Sequence, residues 1–94
     1  MVRLRLTNNQ TGHGVNAEIP LVNHQQPISQ FYASSFDSSG KFMINAAELT
    51  ADFQGVEVVV NAGGQSVTLT TNQNSKQFNG LVDAAHGSIL ARKA

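Results

Sequence analysis

The sequence contains no cysteine and no tryptophan, and only 13% of its 94 residues are charged. Without cysteine the chain can form neither a disulfide framework nor a zinc–thiolate site. Six basic residues balance six acidic ones, and neither sign forms a cluster. Nucleic acids and anionic membranes bind clustered positive charge, so we expect neither as a partner. One tyrosine and no tryptophan also leave few aromatic rings for a sugar-binding platform.

Long hydrophobic runs are missing as well. No stretch of about 18 apolar residues occurs, so membrane insertion is not expected. Residues 1–9 show neither the apolar core nor the cleavage pattern of a signal peptide. Neutral polar residues are abundant instead, since Asn, Gln, Ser and Thr total 31 residues. This composition favours an extracellular or surface-associated module. The chain is expected to be either cytosolic as written or a module of a larger or processed protein.

Apolar residues alternate with polar ones along much of the chain, which indicates β-strands. Strands are predicted at residues 2–7, 15–22, 28–36, 41–46, 56–60 and 66–70. Residues 23–27 and 71–80 are predicted to be polar loops, the second held by Phe78, and residues 47–53 a helical turn or wide loop. Residues 81–94 fit either a short helix or a closing strand. Turn signals every eight to twelve residues or so predict one all-β domain, an antiparallel sandwich or small barrel of about six to eight strands.

The alternation also predicts which side chains form the core. The inward positions are Leu4, Leu6, Val15, Ile19, Leu21, Phe31, Phe36, Phe42, Ile44, Leu49, Val58, Val60, Val67 and Leu69. Gly40, Gly63 and Gly64 stand in predicted turns, where we expect special backbone conformations. Antiparallel connections place alternate loops at opposite ends, so residues 8–14, 37–40 and 61–65 should share one end. The longer loops at the other end, residues 23–27, 50–55 and 71–80, are the better place for a binding surface.

One turn resembles a known family of sandwiches. The run Asp37-Ser38-Ser39-Gly40-Lys41-Phe42 is similar to the Asp-x-x-Gly-Lys-aromatic turn of transthyretin-like carboxypeptidase regulatory domains. The Val-rich strand, Gly-Gly hairpin and Ser-Val-Thr-Leu strand that follow look like the second half of bacterial immunoglobulin-like domains. Residues 6–19 are similar to the first hairpin of the same domains. The resemblance implies a non-catalytic module used for spacing, adhesion, assembly or ligand contact.

Motifs for catalysis or metal binding are not found. The three histidines, His13, His24 and His86, lie in three separate predicted loops and lack metal-ligand spacing. The acidic residues do not form a calcium loop, and no nucleophile elbow occurs. We therefore expect neither an enzyme nor a cofactor.

Three functional hypotheses remain. The first is a structural module that pairs with copies of itself or a protein partner, through an edge strand at residues 2–7 and the two-sided strand at residues 56–60. The second is a lectin-like module that binds glycans through amide-rich loops. Its candidate binding residues are His24, Gln25, Gln26, Asn72, Gln73 and Asn74. The third is a small hydrolase, which is supported only by acidic residues and histidines whose mutual positions the sequence does not define.

Overall fold

The computed structural model describes all residues, 1–94, as eight β-strands and two very short helices. The strands are β1 Val2–Asn8, β2 His13–Ile19, β3 Gln25–Pro27, β4 Met43–Ala51, β5 Val56–Ala62, β6 Gln65–Thr70, β7 Ser75–Asp83 and β8 Ser88–Lys93. The helix α1 covers Ser29–Tyr32, and a 3-10 helix follows at Ala33–Ser35. Neither helix has the length or hydropathy needed to cross a membrane.

The strands form two antiparallel four-stranded sheets. Sheet A has the order β2-β1-β4-β7, and sheet B has the order β3-β8-β5-β6. The predicted all-β sandwich is therefore confirmed. Only the β1–β2 and β5–β6 connections stay within one sheet, and every other connection crosses between sheets. This order differs from that of immunoglobulin constant domains, in which strands ABED face strands CFG.

The core lies between the two sheets and follows the alternation in the sequence. Along β5 the inward residues Val56, Val58, Val60 and Ala62 are all buried, while the residues between them face outward. Every predicted core residue lies in the core or against it. Nine are fully buried, namely Leu4, Leu6, Ile19, Phe42, Ile44, Leu49, Val58, Val60 and Leu69. The other five, Val15, Leu21, Phe31, Phe36 and Val67, are partly buried and pack against the rest.

The prediction of a strand at residues 28–36 is wrong, because this segment forms α1 and the 3-10 helix. Ile28 and Tyr32 lie one helical turn apart and are both fully buried. The Tyr32 hydroxyl donates to the Leu4 carbonyl oxygen at 2.6 Å, which ties the helix to β1. Burial raises the pKa of the Tyr32 phenol well above its usual value. The segment packs against β2 and β3, where it closes the gap between the sheets.

The predicted helical turn or loop at residues 47–53 is also wrong, because β4 continues to Ala51. Ala47 and Leu49 point into the core, whereas Glu48 and Thr50 point outward. Strand pairing with β1 on one side and β7 on the other supplies the backbone hydrogen bonds that hold this segment extended. The helix-forming preference of its Ala, Glu and Leu residues is overridden by these partners.

Residues 71–80, predicted to be a loop, contain most of β7, and residues 23–27 contain β3. Phe78 is buried as predicted, and it anchors β7 against the core. Residues 81–94 supply the end of β7 and the closing strand β8, so the strand alternative for this segment is correct. The expectation that residues 2–7 form an edge is wrong, since β1 lies between β2 and β4.

The β5–β6 hairpin turns at two glycines with left-handed backbone. Gly63 has φ +58° and Gly64 has φ +79°, which identifies the type I′ turn that favours glycine at both positions. Gly40 has φ +78°, so all three predicted special glycines are confirmed. Gly63 also lies against β7, because a Cβ at this position would stand only 2.7 Å from the Cβ of Val82.

Candidate functional site

The candidate glycan-binding residues lie at opposite edges of sheet B. Residues 24–26 belong to β3 and the turn before it, whereas residues 72–74 belong to the β6–β7 loop. The strands β8 and β5 lie between β3 and β6. Adjacent strands are about 4.8 Å apart, so the two groups are separated by roughly 14 Å. The fold therefore does not bring the six residues together into one site.

Half of these side chains also hold the fold together. Gln26 is buried, and its amide donates to the Pro20 carbonyl at 3.5 Å. The Asn74 amide donates to the Leu49 carbonyl at 3.3 Å, and Gln25 accepts a 2.8 Å bond from a serine hydroxyl on β8. His24, Gln73 and Asn72 have exposed side chains. An amide used within the fold is less available to a sugar hydroxyl.

The ionisable groups are dispersed over the surface. No group of three or more His, Asp or Glu side chains lies close enough to hold a metal ion. Glu18 accepts from Arg3 at 3.0 Å on the outside of sheet A, and Glu57 accepts from Arg92 Nε at 2.8 Å on the outside of sheet B. These two carboxylates are thus paired with arginines.

Two aspartates stabilise turns through their carboxylates. Asp37 accepts hydrogen bonds from the Ser39 hydroxyl at 2.6 Å and from the Lys41 backbone N–H at 3.0 Å, and these bonds lower the pKa of its carboxyl. Asp83 accepts the backbone N–H of Ala85 at 3.0 Å and a second one at 3.1 Å, which lowers its pKa in the same way. Both therefore stay ionised at neutral pH and serve the local structure.

A shallow polar groove of about 340 Å³ lies at the end of the sandwich that carries the β5–β6 turn. Asn61, Gln65, Ser66, His86 and Ser88 provide its polar side chains. The Asn61 amide donates to the Ser88 hydroxyl at 3.2 Å, so part of this lining is already hydrogen-bonded. The groove has no aromatic residue.

The outer face of sheet B has a small aliphatic centre. Val59 and Leu90 stand side by side in the β5–β8 register and are both half-buried. Thr68 lies beside Val59 on β6, and Gln25 lies beside Leu90 on β3. The Val-rich strand β5 thus has apolar residues on both faces because Val59 forms one aliphatic pair with Leu90 on the outer face. Polar side chains lie on either side of this pair.

Of the four edge strands, β3 is short, and β6 and β7 are each covered in part. β3 has only three residues and ends in Pro27. At the other side of the sandwich, the Gln65 amide bridges β6 to β7, because its Nε2 donates to the Asn79 carbonyl at 3.0 Å and its Oε1 accepts the Asn79 N–H at 2.8 Å. At the far end of β6, the Thr70 N–H donates to the Gln73 carbonyl at 3.0 Å. Short strands and side-chain cover are the usual protection of sheet edges.

The fourth edge strand, β2, is long and open. It spans seven residues with no proline, and it pairs only with β1. The His13 N–H donates to the Thr11 hydroxyl at 3.3 Å. No other backbone group of β2 forms a hydrogen bond outside the ladder with β1. Alternate N–H and C=O groups along about 24 Å of strand therefore have no hydrogen-bond partner, although α1 packs against part of β2.

Comparison with known proteins finds no matching protein-family model, no similar curated protein and no similar solved structure.

Proposed function

We propose that the chain is a non-catalytic assembly module that associates with a second copy of itself through the open edge of β2. The observation that carries the proposal is the contrast between β2, whose outer backbone groups are bonded only at His13, and the other edges, which are short or partly covered. An unpaired row of backbone donors and acceptors is a template for another strand. A self-pairing module also agrees with the dispersed, locally paired ionisable groups.

The side chains of β2 suit antiparallel self-pairing about a two-fold axis at Asn16. This register places Val15 of one copy opposite Ala17 of the other, so the inward faces of both strands coincide. Val15 and Ala17 are only partly buried in the single chain, and a second strand would cover them. Glu18 would stand opposite Gly14, so no like charges meet, and its own partner is Arg3.

The strength of such an interface can be estimated from the backbone. About half of the seven residues of β2 present N–H and C=O groups outward, which allows about six hydrogen bonds to a partner strand. Each bond contributes about 1 kcal/mol net, and the association entropy opposes them. We therefore expect a reversible dimer whose population depends on concentration.

Asn16→Lys tests the proposal, because Asn16 is exposed and lies at the two-fold axis. Asn16 also pairs with Arg5 in the β1–β2 ladder, so the variant places two positive charges side by side within one chain, and thermal melting of the monomer measures that separate cost. In the dimer the two lysines would stand opposite each other, and we expect the dissociation constant to rise by about tenfold or more. Thr50→Lys is the matched control on the same sheet face, because Thr50 belongs to the interior strand β4 and its hydroxyl is bonded to Asn16 at 3.3 Å. Both variants add one positive charge and lose that bond.

Light scattering behind size exclusion, over a wide range of concentrations, measures the outcome. A wild-type dimer that Asn16→Lys weakens and Thr50→Lys preserves supports pairing through β2. Equal weakening by both variants would assign the contact to the outer face of sheet A. Weakening by Thr68→Lys alone would assign it to the outer face of sheet B. A wild-type chain that stays monomeric throughout refutes the self-pairing proposal.

Glycan binding is the second candidate function, and the polar groove beside the β5–β6 turn is the observation that favours it. Its amide and hydroxyl groups offer donors and acceptors for sugar hydroxyls. A glycan array with the monomeric protein tests this candidate, and Ser66→Ala is the variant to compare because Ser66 is exposed in that groove. The transthyretin-like relation suggested by the turn at residues 37–42 stays a prediction.

A further inference from the structure

Asn79-Gly80 is the one Asn-Gly pair among the nine asparagines of the chain, and it occupies an irregular part of β7. Opposite β4, the register passes from Ala46↔Gln77 directly to Ile44↔Val82. Residues 78–81 therefore have no regular partner in β4, and they form a bulge at the sheet edge. The main chain here is outside the ladder that immobilises the rest of β7.

The two residues are open to solvent at this bulge. The Asn79 side chain is exposed and makes no hydrogen bond, although its backbone N–H and C=O are both bonded to the Gln65 amide. Gly80 has φ +81°, and the space that a Cβ would occupy is empty to 4 Å. The side-chain amide of Asn79 is thus free of hydrogen bonds, and the Cβ side of Gly80 is open.

We propose that Asn79 is a site of spontaneous deamidation, and that its conversion to isoaspartate opens the β6–β7 edge. The Gly80 backbone nitrogen attacks Cγ of Asn79, a new C–N bond forms, and the amide nitrogen leaves as ammonia with the proton from Gly80. Water then adds to either carbonyl of the resulting succinimide, which gives aspartate or isoaspartate. No oxidant, reductant or cofactor is needed, and the net charge of the chain falls by one.

The consequence follows from the Gln65 bridge. Gln65 bonds both the N–H and the C=O of one residue, which requires the normal spacing between these groups. Isoaspartate adds a methylene to the main chain at this residue, so both bonds cannot be kept. Aspartate keeps the normal main chain and therefore keeps the bridge. This inference is independent of pairing through β2, which lies at the opposite side of sheet A.

The reaction is tested by incubating the purified protein at mildly alkaline pH and mapping its peptides by mass spectrometry. We expect Asn79 to convert before Asn72, which is exposed but precedes glutamine, and before Asn74, whose amide is bonded. The folded chain should react within about tenfold of the urea-unfolded chain, because a site outside the ladder needs no opening step. The proposal is overturned if folding slows deamidation of Asn79 by much more than tenfold, or if another asparagine deamidates first. Gly80→Ala should suppress conversion in both states.

The structural consequence needs a second measurement. Ion exchange removes the unreacted chain, and hydrophobic-interaction chromatography then separates the isoaspartate form from the aspartate form of equal charge. The isoaspartate form should melt at a lower temperature than the Asn79→Asp variant. Asn79→Asp has the same charge as the isoaspartate form but an unaltered main chain, so it is the matched control. Gln65→Ala should lower the melting temperature of wild type by about as much as isoaspartate formation does. Equal melting of the isoaspartate form and Asn79→Asp refutes the opening of the edge.

Discussion

Substitution of Gly63 by alanine tests how the β5–β6 turn packs against β7. Two penalties add at this residue. A non-glycine residue at φ +58° costs about 1 kcal/mol, since the left-handed region disfavours a Cβ. The new Cβ would also stand 2.7 Å from the Cβ of Val82 and 3.0 Å from its Cγ1. Val82 is buried and β-branched, so it cannot simply rotate away, and overpacking of this kind costs about 1–3 kcal/mol.

The neighbouring glycine supplies the control. Gly64 has φ +79°, but a Cβ there meets nothing within 4 Å, so Gly64→Ala carries only the backbone penalty of about 1 kcal/mol. We therefore expect Gly63→Ala to lower the free energy of unfolding by about 2–4 kcal/mol, against a total of about 5–14 kcal/mol for a chain of this length. The difference between the two variants isolates the contact with Val82.

Urea unfolding followed by circular dichroism measures both variants, and thermal melting provides a second reading. Each kcal/mol corresponds to about 4–8 °C in a domain of this size. The reasoning about Val82 is refuted if Gly63→Ala loses no more stability than Gly64→Ala. If Gly64→Ala is as stable as wild type, the left-handed turn itself is refuted.

Three further substitutions probe single hydrogen-bonding groups. Tyr32→Phe removes the 2.6 Å bond to the Leu4 carbonyl inside the core, and we expect a loss of about 1–2 kcal/mol in urea unfolding. Asp83→Asn removes a carboxylate whose pKa is lower in the folded chain than in the unfolded chain. The carboxylate therefore stabilises the fold above about pH 4, and this stabilisation is lost as the pH falls through the folded pKa. Stability measured against pH should therefore fall less steeply in acid for Asp83→Asn than for wild type. Gln65→Ala should increase hydrogen exchange at the Asn79 amide, and unchanged exchange would contradict the bridge.

The sequence predicts the strands whose apolar residues recur at every second position. Residues 56, 58 and 60 and residues 67 and 69 are apolar, and both segments are strands with these side chains inward. Val59 is the one apolar residue on the outer face of the first segment. The two glycines between these segments can also be predicted from the sequence, because a left-handed hairpin turn strongly favours glycine. Local periodicity and turn chemistry thus suffice for the hairpins and for the core.

Other segments are decided by neighbours far away in the sequence. Ile28 and Tyr32 fit one helical face as well as one strand face, and it is the packing of Tyr32 against β1 that favours the helix. β7 has a polar sequence with one buried aromatic, Phe78, because β4 supplies its backbone partners. Its irregular register is invisible from composition. The predicted edge at residues 2–7 fails for the same reason, since strand order is a property of the whole chain.

Amide side chains can hold the fold together as well as contact a ligand. From the sequence, the amide-rich loops suggest sugar recognition. In the structure, Gln65 bridges β6 to β7, and Asn74 donates to the β4 backbone. Asn45 accepts the Asn9 N–H at 2.9 Å. An amide carries a donor and an acceptor, as a peptide group does, so it can replace a missing strand at an edge. Of these three amides, only that of Gln65 lies at a sheet edge, where it covers part of β7. The backbone of β2 has no such cover, and this difference in hydrogen bonding is the reason to look for its partner there.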